Sequence, residues 1–376
     1  MNRIAKLAGL AGAGVTATAL LAAPANAAPA HSTDGRPPVF VQTDDPAGNT
    51  VVAYDRTDTG SLVRAGSYAT GGLGGVLGGS VVDHTASQGA LAYDSESQLL
   101  FAVNAGSNTI TTFAVHGDRL VRRQVLSSGG SFPVSIAANG DLVYVLNARD
   151  GGSIQGYLRV GGLLVRVPQW HRSLGLDPQQ TPEFTSTPGQ ITFAPGGHRL
   201  LVTTKNGANS IDVFRVGLTG PSATPTVNSL PGDVPFSVSY DRAGHVDVAE
   251  AGPNAVATFT LNPDGTLAPL DSSGTGQAAT CWIVSVDGHL YLSNAGSANV
   301  SRYAVADDGA LTALGTTATD AGTIDAAASA DGQFLYVQAG GQGEVDAYRI
   351  GGDGSLTPVG TVTVPNAVGG EGIVAL

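Results

Sequence analysis

Glu250, His171, Arg149, Arg172 and Lys205 are the side chains of this 376-residue sequence best suited to moving a proton or gripping an anion. Glu250 stands in "HVDVAEAGPNAV" and Lys205 in "RLLVTTKNGANSIDVF". Both occupy a position that Asn104, Asn147 and Asn294 fill in similar segments. Asparagine there caps a turn with its side chain or offers a polar contact to a ligand. A carboxyl group at that point is a tolerated variant or a site acid, and an ammonium group is a solvated turn residue or a carboxylate binder. His171 lies between Trp170 and Arg172. An imidazole beside a guanidinium is kept neutral near pH 7 and can serve as a base; alternatively "QWHR" anchors a surface loop through Trp170. His84, Asp150 and Asp325 complete the polar side chains expected on the same face.

The positioning elements are repeats. "LLFAVNAGSNTITTF" (99–113) has counterparts at 39–54, 142–157, 199–214, 245–259, 290–303 and 335–348. Each is an apolar strand, a small polar turn, and a second strand ending in Tyr or Phe. Ile110, Ile154, Ile211, Val256, Val300 and Val345 recur at intervals of 44, 57, 45, 44 and 45 residues. A strand-only period near 45 residues is that of a four-stranded propeller blade. Short apolar segments such as "PVSIAA" (133–138) supply inner strands, and "NPDGTLAPL" (262–270) and its likenesses supply outer ones. The chain is therefore expected to be an all-β, seven-bladed β-propeller over 39–376. Blade one has no inner strand upstream, so "GGEGIVAL" (369–376) is expected to complete it and close the ring. Two connections, 70–88 and 167–187, exceed the repeat and should lie on one end of the ring, the end that carries function in repeat arrays. "GGLGGVLGG" in the first of them reads as a flexible linker.

Bulk properties narrow the partners. Residues 1–27 read as a secretory signal: Arg3 and Lys6, an apolar run, then "ANA". Residues 28–38 read as a short linker, and the mature protein as extracellular, with no later membrane span. Charged residues are only 13% and the net charge is −12, which disfavours nucleic acid and anionic lipid. The single cysteine, Cys281, cannot form an internal disulfide. No metal-ligand spacing or cofactor motif stands out, so no metal and no cofactor are expected.

The "N-x-G-S-N-x-I-x-x-F" hairpins and repeated "D-G-x-L" turns resemble the lactonase-type seven-bladed propellers: 6-phosphogluconolactonase-like, carboxymuconate-cyclase-like, and close to YncE-like secreted propellers. The resemblance implies a polar site on one face of the channel, with Glu250 where members often carry a glutamate. The histidine-bearing approach of active members reads "TSTPGQITFAPGG" here. Two functions are expected. One is a secreted binding or scaffold propeller presenting its channel mouth to a small ligand or to an extracellular protein or polymer. The alternative is a lactonase-type hydrolase of a carboxylated or sugar lactone. In it Glu250 or His171 is the base, and Arg149, Arg172, Lys205, Asn104, Asn147 and Asn294 hold the substrate. Catalysis would require Glu250, a basic group and a histidine to line one pocket.

Overall fold

The computed structural model describes residues 37–376; the expected signal, and the linker as far as residue 36, lie outside the described residues. Seven antiparallel sheets follow one another along the chain. In each, the second and third strands are the repeated hairpin found in the sequence, flanked by an inner and an outer strand. Ile373–Ala375 pairs with the first strand, Pro38–Gln42, in the register Ile373↔Val41, Val374↔Phe40 and Ala375↔Val39. The tail thus supplies blade one's inner strand and removes the open edge a linear array would carry.

Blade faces stack on their neighbours, which is why most middle strands are buried on both sides. Leu99–Asn104 and Phe334–Ala339 have no exposed residue. The aromatic ending each third strand joins a blade to the one before it. Tyr157 donates its hydroxyl proton to Ser127 O at 2.6 Å, Tyr303 to Gly274 O at 3.0 Å and Tyr348 to Ala318 O at 2.8 Å. These phenols are the polar handles of otherwise apolar side chains.

In blades two, four and five an asparagine of the hairpin turn ties the blade to the next. Asn108, Asn209 and Asn254 sit at φ 55, 49 and 55, a left-handed conformation that asparagine tolerates better than most residues. Their side-chain oxygens accept from the entry of the following inner strand: from Phe132 N at 2.8 Å, Val234 N at 3.2 Å and Thr280 N at 3.1 Å. Asn254→Ala should cost about 1–3 kcal/mol, the sum of a lost bond to a buried N–H and backbone strain. Asn254→Gly relieves the strain without restoring the bond. Melting curves should therefore order wild type above Gly above Ala; an Ala variant equal to wild type would refute the clip.

Two expectations are corrected. Residues 167–173 belong to blade three's outer strand, Leu163–Ser173, so the second long connection begins only at Leu174. The glycine run is not a flexible linker. A Cβ on Gly74 would lie 1.9 Å from Asp44 O, and one on Gly72 would lie 2.4 Å from the Asn104 side chain. The run is a packed strap that only glycine can form, and Leu77 at its end is fully buried.

Candidate functional site at the channel mouth

The strap continues into the ring and closes it. Asp83 accepts from Thr85 N at 2.8 Å, Ala86 N at 2.9 Å, Ser87 N at 3.0 Å and the Thr85 hydroxyl at 3.0 Å, folding 83–87 into a tight turn. Next to that turn, the Gln88 side chain donates to Ile283 O and accepts from Ile283 N, both at 3.0 Å. Trp282 Nε1 donates to Ser87 O at 2.7 Å. These bonds join the entry of blade two to the inner strand of blade six, which is not its neighbour. They must therefore run across the axis.

Beneath the strap lies a nest of buried charge. Glu371, from the closing segment, accepts from Gly89 N at 2.9 Å, Ala90 N at 3.2 Å and the hydroxyls of Thr85 and Ser87 at 3.3 Å. Asp325 lies beside it, and the nearness of the two carboxyls disfavours ionising both. Burial pushes Asp325 up to about 7 and Asp83 up to about 6. Burial, then the neighbouring Asp325 and Asp83, push Glu371 up as well. Lys205 donates to Phe184 O at 2.5 Å, Ala86 O at 2.6 Å and the Thr187 hydroxyl at 3.3 Å. Its ammonium lies 5.3 Å from the centre of the Phe236 ring, and burial lowers it to about 7. Cys281 is buried here with its thiol pushed up to about 12, which makes it inert. Every charge in the nest has an internal partner, so it seals the channel and offers nothing to a ligand.

Beside this seal the mouth opens. Hairpin residues 148–151 of blade three and the connection 176–187 enclose a polar cleft of about 170 Å³. Arg149 forks onto Glu183, Nε to Oε1 at 2.6 Å and a terminal nitrogen to Oε2 at 3.1 Å. The same guanidinium lies 4.3 Å from the Phe132 ring centre and donates to Val76 O at 3.2 Å. That bond to Arg149 holds the Glu183 carboxyl below its usual range. Ser186 lines the same cleft; it is buried, and among the described residues its hydroxyl has no hydrogen-bond partner. Such a group normally finds one. Gln180, Asp177 and Asp150 complete the polar wall.

The nominated residues are not brought together. His171 and Arg172 lie on blade three's outer strand, paired with Gln155 and Ile154. His171 is exposed, and Arg172 is committed to the carbonyls of Ser222 (2.8 Å), Gln169 (2.8 Å), His171 (2.6 Å) and Pro221. The strand assignment, not a loop, is what keeps both from the mouth. Asn104 donates to the hydroxyls of Thr111 (2.9 Å) and Thr109 (3.1 Å), and Asn294 to Ser301 (2.9 Å) and Asn299 (2.8 Å). Asn147 reaches Ser128 O at 3.4 Å and the Ser153 hydroxyl at 3.5 Å. All three are fully buried hairpin pins. Glu250 ends a second strand, Val246–Glu250, and faces a separate groove between blades four and five. Of the side chains expected on one face, Arg149 and Asp150 line the cleft, and Lys205 and Asp325 lie in the buried nest beside it.

Glu371, Asp83, Glu183 and Ser186 were not singled out by sequence. Glu371 carried a readable signal, being the only charged residue in the closing segment "GGEGIVAL". The other three depend on how the two long connections fold against each other: Gly78 N donates to Glu183 Oε2 at 2.5 Å, and Phe184 N to Gly78 O at 3.3 Å. Among the described residues no group of three or more His, Cys, Asp or Glu side chains is arranged to hold a metal ion, and no helix is long and apolar enough to cross a membrane.

Fold and mouth together define a seven-bladed propeller with a self-sealed channel. Residues 247–371 match the family described as Lactonase, 7-bladed beta-propeller. That match, over part of the chain, agrees with the resemblance carried by its hairpins. The periplasmic gluconolactonase PpgL of Pseudomonas aeruginosa superposes with a TM-score of 0.72 at 16% identity, over 90% of this chain and 99% of that one. A Bacteroides fragilis protein provisionally assigned as a 6-phosphogluconolactonase gives 0.70 at 18%, over 90% and 98%. Virginiamycin B lyase from Staphylococcus aureus gives 0.54 at 15%, over 77% and 88%. No curated protein matches the sequence. At these identities the likeness is one of fold, and proteins named for different chemistries share it.

Proposed function

We propose that this chain is a secreted propeller that binds a small hydroxylated carboxylate, or the corresponding lactone, in the mouth cleft between Arg149 and Ser186. One observation carries the reading: Ser186, whose buried hydroxyl has no partner, and the Arg149 guanidinium line the same cleft. A ligand carboxylate would exchange with Glu183 on Arg149, because the planar fork suits either. A ligand hydroxyl would satisfy Ser186. The cleft is smaller than the roughly 300–1,000 Å³ of drug-sized sites, so the ligand is small and a polymer would engage only through a terminal group.

Calorimetric titration with gluconate and glucono-1,5-lactone tests this. Gluconate should bind saturably, and Arg149→Gln should weaken it by about tenfold or more, the worth of a charge-assisted fork. Binding indifferent to Arg149, or none by either probe, would overturn the reading.

The second reading is hydrolysis of a sugar lactone with Glu250 as base. Its support is that burial, and then Asp233, push the Glu250 carboxyl up to about 7, where it can exchange a proton near neutrality. The residues lining its groove include no Lys, Arg or His, so the substrate there would be an uncharged lactone. A pH-stat assay on sugar and dicarboxylate lactones decides it. Turnover abolished by Glu250→Gln supports the base, and turnover that survives the substitution rejects it.

A further inference from the structure

Blade four lacks a full outer strand. Where the other blades carry 8 to 11 residues, it has Gly220–Pro221 and Thr226–Ser229, separated by "SATP". Pro221 and Pro225 bracket the break, and neither can donate to a ladder. Between the end of that strand and blade five lies a groove of about 840 Å³. Leu230, Pro253, Phe259, Leu267 and Leu270 supply its apolar surface, and Ser229, Ser272 and three carboxyls supply a polar surface of similar extent. Asp271 is satisfied by Ser272 N at 2.9 Å and Leu311 N at 2.8 Å. Glu250 is only 4% exposed, and among the described residues no hydrogen bond or ion pair reaches its carboxyl. Asp233, half-buried beside it, bears on it electrostatically.

We propose that this groove is a binding site for an organic cation with an apolar body, such as an aralkylammonium, whose charge is received by Glu250 and Asp233. An anion is excluded by two carboxyls with no basic side chain among the lining residues. A small inorganic cation would leave the apolar walls unused. An ammonium or guanidinium head on a hydrocarbon body supplies the missing partner to Glu250 and covers Phe259 and Leu267 at once. The site is independent of the mouth cleft, since Arg149 lies in blade three's hairpin.

Occupation has a proton signature. The groups facing Glu250 from the groove are Asp233 and Asp271, both acidic. A bound cation favours the ionised carboxyl, so binding releases a proton below about pH 7 and tightens as pH rises through that value.

The test is calorimetric titration of the wild-type protein with 3-phenylpropylammonium and with 3-phenylpropanol, its uncharged counterpart. The ammonium should bind at least about tenfold tighter than the alcohol, and its affinity should rise several-fold from pH 6 to pH 8. Below pH 7 the heat should change with buffer ionisation enthalpy. Glu250→Gln should remove the preference for the ammonium, Asp233→Asn should weaken it, and Arg149→Gln should leave it unchanged. Should Glu250→Gln fail to fold, Asp233→Asn and the buffer-dependent heat decide. Equal affinity for alcohol and ammonium, an ammonium affinity untouched by both acidic-site variants, or no saturable binding up to about 10 mM would each overturn the proposal.

Discussion

Removing residues 369–376 should cost more than about 5 kcal/mol, a large part of a typical 5–15 kcal/mol total, and lower the melting temperature by more than about 10 °C. The segment contributes more than three paired residues. Gln42 N donates to Gly372 O at 2.8 Å, Leu376 N to Pro38 O at 3.0 Å and Gly372 N to Gln338 Oε1 at 3.0 Å. Ile373 is buried in the core between blades one and seven with Val39, Tyr54 and Tyr336. Glu371 anchors the strap through Gly89 and Ala90. Truncation therefore opens an edge, empties a core position and unties the plug together. Ile373→Ala removes only the packing and should cost about 2–4 kcal/mol. A truncated chain that melts as a monomer at the wild-type temperature would contradict ring closure by the tail.

Stability should fall as pH rises from 5 to 8. Several carboxyls are held above their unfolded values near 4 by burial: Asp83 at about 6, Asp325 and Glu250 at about 7, and Asp247 at about 8. Asp44 and Glu371 are raised in the same direction. A raised folded pKa means that the folded state binds more protons in the window between the two values. The stability is thus complete below the unfolded pKa and is lost as pH climbs through the folded one. Lys205 has the opposite sign: lowered to about 7, it makes the folded state more favourable as pH rises from 7 toward 10.5, which limits the loss at the alkaline end. On the acid side Arg56 pairs with Asp331 at 2.8 and 3.0 Å and holds that carboxyl far below its usual range, so this contribution disappears only in strong acid. The melting temperature should therefore be higher at pH 5 than at pH 8 by more than about 5 °C. Asp247 has neither oxygen partnered, and Asp247→Asn should flatten the decline. A melting temperature that is level or rising over this range would refute the protonated nest.

The ring was legible in the sequence because it is written seven times. The aromatic that ends each third strand, and the asparagine at several of the turns, are packing devices with fixed spacing, and even the borrowed strand at 373–375 showed as an apolar segment with no blade of its own. The site was legible only in part, since its chemistry sits in the non-repeating connections. Arg149 and Lys205 were found because they interrupt a repeat position. His171 was misplaced because blade three's outer strand runs to Ser173, longer than any other outer strand, and nothing in "QWHR" marks where pairing stops. Glu250 was noticed as an exception to asparagine, but its groove lies between two blades and depends on how they stack, which periodicity does not reveal. The plug was read as a linker because glycine looks the same in a sequence whether it is free or enclosed; only the closeness of Asp44 and Asn104 distinguishes the cases.

The most direct test of the account is a crystal structure of the protein soaked with gluconate. The ligand is predicted between Arg149 and Ser186, with the guanidinium turned from Glu183 onto the ligand carboxylate and the strap 70–88 in place across the axis. Gluconate bound on the ring axis, with the strap displaced and Lys205 released from Ala86 and Phe184, would contradict it.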